Sequence, residues 1–173
     1  MKNEEWTSYC KTVMKDVYCL NIIYSPKTIV MKETNFDLKK FFISGLIGGI
    51  VSFFVGFAIY GIALAGVMEA SAGTATNVAK GPTEMVYWSI MLGSLFMGFT
   101  LAFIFELGKI KSTGRGFVIG AIAGLFIIAG HDFTSYGTAN LFNLKGLFID
   151  LGASTIMQAI TGAAIGFVNA KFK

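Results

Sequence analysis

The sequence predicts an all-α polytopic membrane protein, four transmembrane helices packed through glycine and other small-residue faces. Three observations carry that expectation. Hydrophobic residues make up 54% of the 173-residue chain and charged ones 14%, where a soluble domain carries about a quarter charged residues. The apolar residues collect in four runs of about the 20 residues that a helix needs to cross the hydrocarbon core. Inside those runs glycines recur four apart, the spacing that lets helices approach closely in lipid. Residues 41–173 are therefore expected to form one transmembrane domain, preceded by a polar cytoplasmic segment, 1–40.

That segment has no apolar h-region followed by a small-residue cleavage site, so it does not read as a cleavable signal. Trp6, Tyr9, Tyr18, Ile22, Ile23 and Tyr24 fit a short interfacial helix ended by Ser25-Pro26. Met31-Lys32-Glu33 fits equally well as the true start, with the residues before it an over-long reading frame or a disordered tail. Cys10 and Cys19 both fall here and are expected to be reduced thiols, since a metal site needs more ligands than the segment offers.

The first span is expected from Phe41 to Ala65, behind Lys39 and Lys40. Gly45 and Gly49 are four apart, and Gly56 and Gly61 add further points of close approach. Tyr60 suits the far interface or a polar partner inside the bundle. Gly66 to Thr83 reads as a loop, rich in Ala, Thr and Gly and ended by Pro82, and is the longest connection in the domain. The second span, Met85 to Leu107, opens with the aromatic belt Tyr87-Trp88. Ser94, Gly98, Ala102 and Glu106 follow four apart. Glu106 has Lys109 three residues on, in pairing range on a helix surface.

Gly116, Gly120 and Gly124 form a GxxxGxxxG run in the third span, Gly116 to Phe133 or one turn longer, with His131 and Asp132 at its far end. A turn is expected over FTSYGTANLFNLKG, Phe133 to Gly146, with Tyr136-Gly137 and Asn140 as turn formers. The fourth span runs from Leu144 to Ala170. Along it Asp150, Ser154, Gln158, Gly162, Gly166 and Ala170 recur every four residues. An ideal helix drifts about 40° per such step, so this stripe, polar then small, winds slowly round the helix.

The formal charge of +4 raises nucleic acid as a partner, but the basic residues flank apolar spans and read as a topology signal instead. With four crossings, Lys39, Lys40, Lys109, Lys111, Arg115, Lys171 and Lys173 share one side, against Lys80 and Lys145 on the other. Both termini are thus expected in the cytoplasm, with lipid as the constant partner and no nucleic acid.

Candidate polar or ion-site residues are Glu106, His131, Asp132, Asp150 and Gln158. In one reading His131, Asp132 and Asp150 converge at the outer ends of the third and fourth helices, with Gln158 about two turns deeper, and relay protons or hold a cation. In the other, His131 and Asp132 lie among headgroups and Asp150 serves the first turn of the fourth helix, where the dipole favours a carboxylate. Glu106 likewise reads as an interfacial ion pair or a functional carboxylate. A single histidine, no serine in a nucleophile elbow and no phosphate loop after a strand leave no catalytic constellation. No enzyme activity, cofactor or metal is expected. The helix-packing residues are Gly45, Gly49, Gly98, Gly116, Gly120, Gly124, Gly162 and Gly166.

The segments VGFAIYG, AGHDF and above all LFIDLGASTIMQAITGAAIG carry a resemblance. From Phe42 to Phe167 the chain resembles a bacterial family of small membrane proteins, domain-of-unknown-function seventeen sixty-one. In that family the fourth span opens with an Ile-Asp pair, here Ile149-Asp150, and closes with small residues. The family's usual Trp beside the first-span Tyr is Ile59 here, and the N-terminal extension has no counterpart in it. The resemblance implies a four-helix bacterial inner-membrane protein and no particular activity. The function expected is that of a structural or accessory subunit or a homo-oligomer, because the packing glycines exceed what four helices need internally. The alternative is a small-solute or proton-coupled transporter or channel.

Overall fold

The computed structural model describes residues 36–75, 80 and 83–172. The expectations for the N-terminal segment, its cysteines and its two start positions lie outside the described residues. Among these residues the chain is all-α. Helix α1 spans Leu38–Gly56 and continues as a π-helical stretch, Phe57–Ala63. A short α2 follows over Ala65–Ala70, then α3 (Tyr87–Leu107), α4 (Thr113–Thr138) and α5 (Leu144–Lys171). Four helices, Leu38–Ala63, α3, α4 and α5, are long and apolar enough to cross a membrane. This is a multi-pass membrane protein.

Local chemistry sets where the helices begin. Asp37 caps α1, its side chain accepting from the Lys40 N–H at 3.0 Å, so the first helix starts three residues before Phe41. Asn143 caps α5 by accepting from the Gly146 N–H at 2.9 Å. Each cap satisfies one backbone donor that the first turn leaves open.

Two expectations about connections are corrected. The stretch from Gly66 is not all loop: Ala65–Ala70 is helical. The turn expected from Phe133 is helix as far as Thr138, and the connection shortens to 139–143. Tyr136 and Gly137 therefore lie inside α4. One glycine costs a helix only about 1 kcal/mol, and no proline breaks the run. Thr134 and Thr138 bond back to the carbonyls of Gly130 and Thr134 at 2.7 and 2.8 Å, which keeps their hydroxyls satisfied on a continuing helix.

The helices do not pack in chain order. α1 and α5 meet in the middle, α3 packs on α1, α4 packs on α5, and α3 and α4 barely touch. The short loop joining α3 to α4 instead crosses the C-terminal end of α5. Asn169 of α5 donates to the Ile110 carbonyl in that loop at 3.2 Å. At the far end the two connections are stitched together. Gly73 and Ala75 donate to the carbonyls of Leu141 and Asn140 at 3.0 and 3.1 Å, and Asn143 donates to the Ser71 carbonyl at 3.0 Å.

Glycine seams make these packings possible. A Cβ on Gly98 would overlap the Gly49 backbone, and one on Gly49 would sit 2.7 Å from the Leu95 Cα. On the other side of the bundle, a Cβ on Gly120 would come within 2.9 Å of the Gly162 Cα, and one on Gly166 within 3.2 Å of the Gly116 Cα. Lipid tails are as apolar as the side chains, so close van der Waals approach holds such helices together. Gly45 faces the Phe99 ring and Gly124 faces the Gln158 side chain. All eight packing glycines thus meet neighbours within the chain. Leu101, Phe105 and Ile165 form the small buried apolar core where α3 and α5 meet.

Candidate functional site

Two polar clusters lie in the bundle, one at each end. The first is built on Glu106, at the last turn of α3 and 1% exposed. Its Oε1 takes the Lys109 ammonium at 2.7 Å and the Asp37 backbone N–H at 3.3 Å, and its Oε2 pairs with Lys40. Lys40 is itself buried. Two lysines on one carboxylate leave it no free charge, so this cluster holds α1 to the end of α3. Lys109 takes a left-handed backbone (φ 49°) directly after the helix C-cap Gly108. That turns its side chain back over Glu106. The i to i+3 pair was legible in the sequence. Lys40 was not, because 66 positions separate it from Glu106 and no periodicity links them.

The second cluster lies at the opposite end, where the π-helical stretch, α4 and α5 come together. The Tyr60 hydroxyl meets Ser154 Oγ at 2.6 Å and donates to the Asp150 carbonyl at 3.4 Å. The extra residue per turn of a π-helix re-aims side chains, and such turns recur at functional sites. Asp132 is 2% exposed. Its Oδ1 accepts from the Nδ1 of His131 at 3.2 Å, and its Oδ2 has no hydrogen-bond partner. The His131 side chain is 74% exposed.

His131 and Asp132 are paired, and Asp150 lies at the same end of the bundle, near the start of α5. Gln158 is not at their level. It is fully buried against Gly124, two turns further along α5, and neither its amide oxygen nor its nitrogen finds a partner. Glu106 belongs to the other end altogether. Asp150 is half-buried on α5, while Ser154, Gln158, Gly162 and Gly166 of its stripe are buried. By Ala170 the stripe has turned outward, and Asn169 takes the inward place, the drift that 3.6 residues per turn imposes. Tyr60 and Ser154 join the cluster although neither was singled out as a site residue. The sequence signal for Ser154 was its place in the stripe; Tyr60 had only its polar tip.

Among the described residues, no group of three or more His, Cys, Asp and Glu side chains is arranged to hold a metal ion. The chemistry at this end is that of two carboxyls, one exposed imidazole and two hydroxyls. Compared with family models, curated proteins and solved structures, the chain matches none of them.

Proposed function

We propose that this chain is a small bacterial inner-membrane protein of structural or accessory kind, assembled with a larger membrane protein or with copies of itself, and with both termini in the cytoplasm. One observation carries the reading. The inner faces of the helices are closed by glycine seams, while the outer faces present large apolar side chains such as Phe54, Phe96, Phe126, Ile156 and Phe167. Those faces suit lipid or another transmembrane helix, and among the described residues the interior holds no group of three His, Cys, Asp or Glu side chains set to hold a metal. Kinship with domain-of-unknown-function seventeen sixty-one belongs to the same proposal and rests on the Ile149-Asp150 helix and the AGHDF segment.

Purification from native membranes in mild detergent tests it. The particle mass should exceed one chain plus its detergent, with either a stoichiometric larger protein or a whole number of copies. A clean monomer would refute it. Proton-coupled transport is the second reading, and a specific observation favours it: Asp132 and Gln158 are buried with unsatisfied polar atoms in the apolar bundle, where ionisable groups mark functional paths by default.

A further inference from the structure

We propose that the end of the bundle where the α3–α4 loop crosses α5 is a docking surface for an anionic phospholipid, whose phosphate is held by Lys111, Arg115 and Lys171. The inference goes beyond the accessory role and stands whether or not the protein assembles.

The fold gathers the three cations. Lys111 lies between Ile110, whose carbonyl takes the Asn169 side chain at 3.2 Å, and Ser112, whose carbonyl oxygen is 2.5 Å from where a Cβ on Gly166 would fall. The last two turns of α5 therefore sit against this loop, and Lys171 stands two residues beyond Asn169. Arg115 is in the first turn of α4, whose Gly116 packs on Gly166. All three cations are exposed. Among the described residues nothing acidic offsets them. The first turn of α4 holds no Asp or Glu. The acids at this end are Asp37, which caps α1, and Glu106, which is spent on Lys40 and Lys109. None of the three cations forms an ion pair with a described residue. Like charges gathered without a counter-ion repel one another, and an anion bound among them reverses the sign of that energy.

Lys171 indicates which anion. A lysine at the end of a spanning helix ordinarily stretches toward water. Here the ammonium turns back along α5 and lies 5.2 Å from the centre of the Phe167 ring, one turn nearer the hydrocarbon. Phe167 is exposed on the outside of the bundle, as are Leu107 at the end of α3 and Phe117 in α4. The charge thus sits where a phosphate joins its acyl chains, with apolar side chains beneath it for those chains to cover. Arg115 adds a planar fork that matches phosphate oxygens. A soluble phosphate would meet only the cations, whereas a phospholipid meets both parts of the surface.

Electron paramagnetic resonance of spin-labelled phosphatidylglycerol and phosphatidylcholine tests this with the full chain in phosphatidylcholine vesicles. The native protein should favour phosphatidylglycerol by at least about fivefold, what one basic residue beside an anionic surface contributes. Lys111→Gln/Arg115→Gln/Lys171→Gln should abolish the preference, while Lys80→Gln/Lys145→Gln, at the other end, should keep it. Equal association of the two lipids with the native protein, or a preference that survives the triple substitution, overturns the proposal. Should the triple variant fail to fold, the native protein in about 1 M salt, which screens charges beyond about 3 Å, takes its place. The preference should vanish there, and its survival would count against the proposal equally. Soluble glycerol phosphate should not displace the labelled lipid; full displacement would make this a site for free phosphate and sink the lipid as its occupant.

Discussion

Glu106 shows at the scale of one residue how little of a buried charge's meaning lies in its own neighbourhood. Its local partner Lys109 is half-exposed, whereas Lys40 is buried with it. Removing the carboxylate leaves Lys40 as an uncompensated buried ammonium, which costs about 3–5 kcal/mol. Glu106→Gln should therefore lower stability to denaturant in detergent by that much. The double variant Lys40→Met/Glu106→Gln should recover part of the loss, since residues sharing one ion pair couple by about 0.5–3 kcal/mol. Additive losses would mean that the pair carries no interaction energy. Asn169 is a quieter case. It is fully buried, yet its Nδ2 serves a loop carbonyl 59 positions away, and nothing in its surroundings in the chain announces that.

At the scale of the element, α5 organises the bundle. It touches α1, α4 and, more lightly, α3, and a larger share of it is buried than of any other candidate span. Its stripe of polar and small residues was visible as spacing alone, because a four-residue step keeps side chains near one face. Whether a given glycine in a span is used is a different matter. A Cβ on Gly120 meets the Gln158 and Gly162 backbone, while one on Gly152 meets nothing within 4 Å. Gly120→Ala should destabilise by about 1–3 kcal/mol, the cost of overpacking a tight contact. Gly152→Ala should leave stability unchanged or raise it by up to about 1 kcal/mol, since alanine relieves the helix cost of a glycine where no contact opposes it. Thermal unfolding of the two variants side by side in one detergent checks the contrast, and equal losses would remove the seam as its cause. The π-helical stretch around Tyr60 had no counterpart in the sequence reading, since FAIYGIA fits an ordinary helix equally well.

For the whole molecule, the proposed topology, four crossings read with the lysine bias, predicts that both ends and the Lys111 loop face the cytoplasm. In a cysteine-free background, Lys111→Cys should react with a membrane-impermeant thiol reagent only in inside-out vesicles, and Ala139→Cys only in right-side-out ones. The reverse pattern would invert the topology. The backbone bonds that tie Gly73 and Ala75 to the 139–143 connection link the two hairpins at the end that carries Asp132 and Asp150.

What the sequence determined by itself is the number of long helices, their apolar character and their approximate bounds, because lipid demands runs of a set length whose backbone is satisfied internally. It also brought His131, Asp132 and Asp150 to one end of the bundle, since helix length alone puts the end of one span beside the start of the next. The tertiary structure decided the order of packing, with α1 and α5 between α3 and α4, because four apolar helices offer many pairings and only interlocking backbone contacts choose among them. It likewise decided that Lys40 neutralises Glu106 and that Tyr60 reaches Ser154. Both are contacts across more than sixty residues, and no local period encodes them.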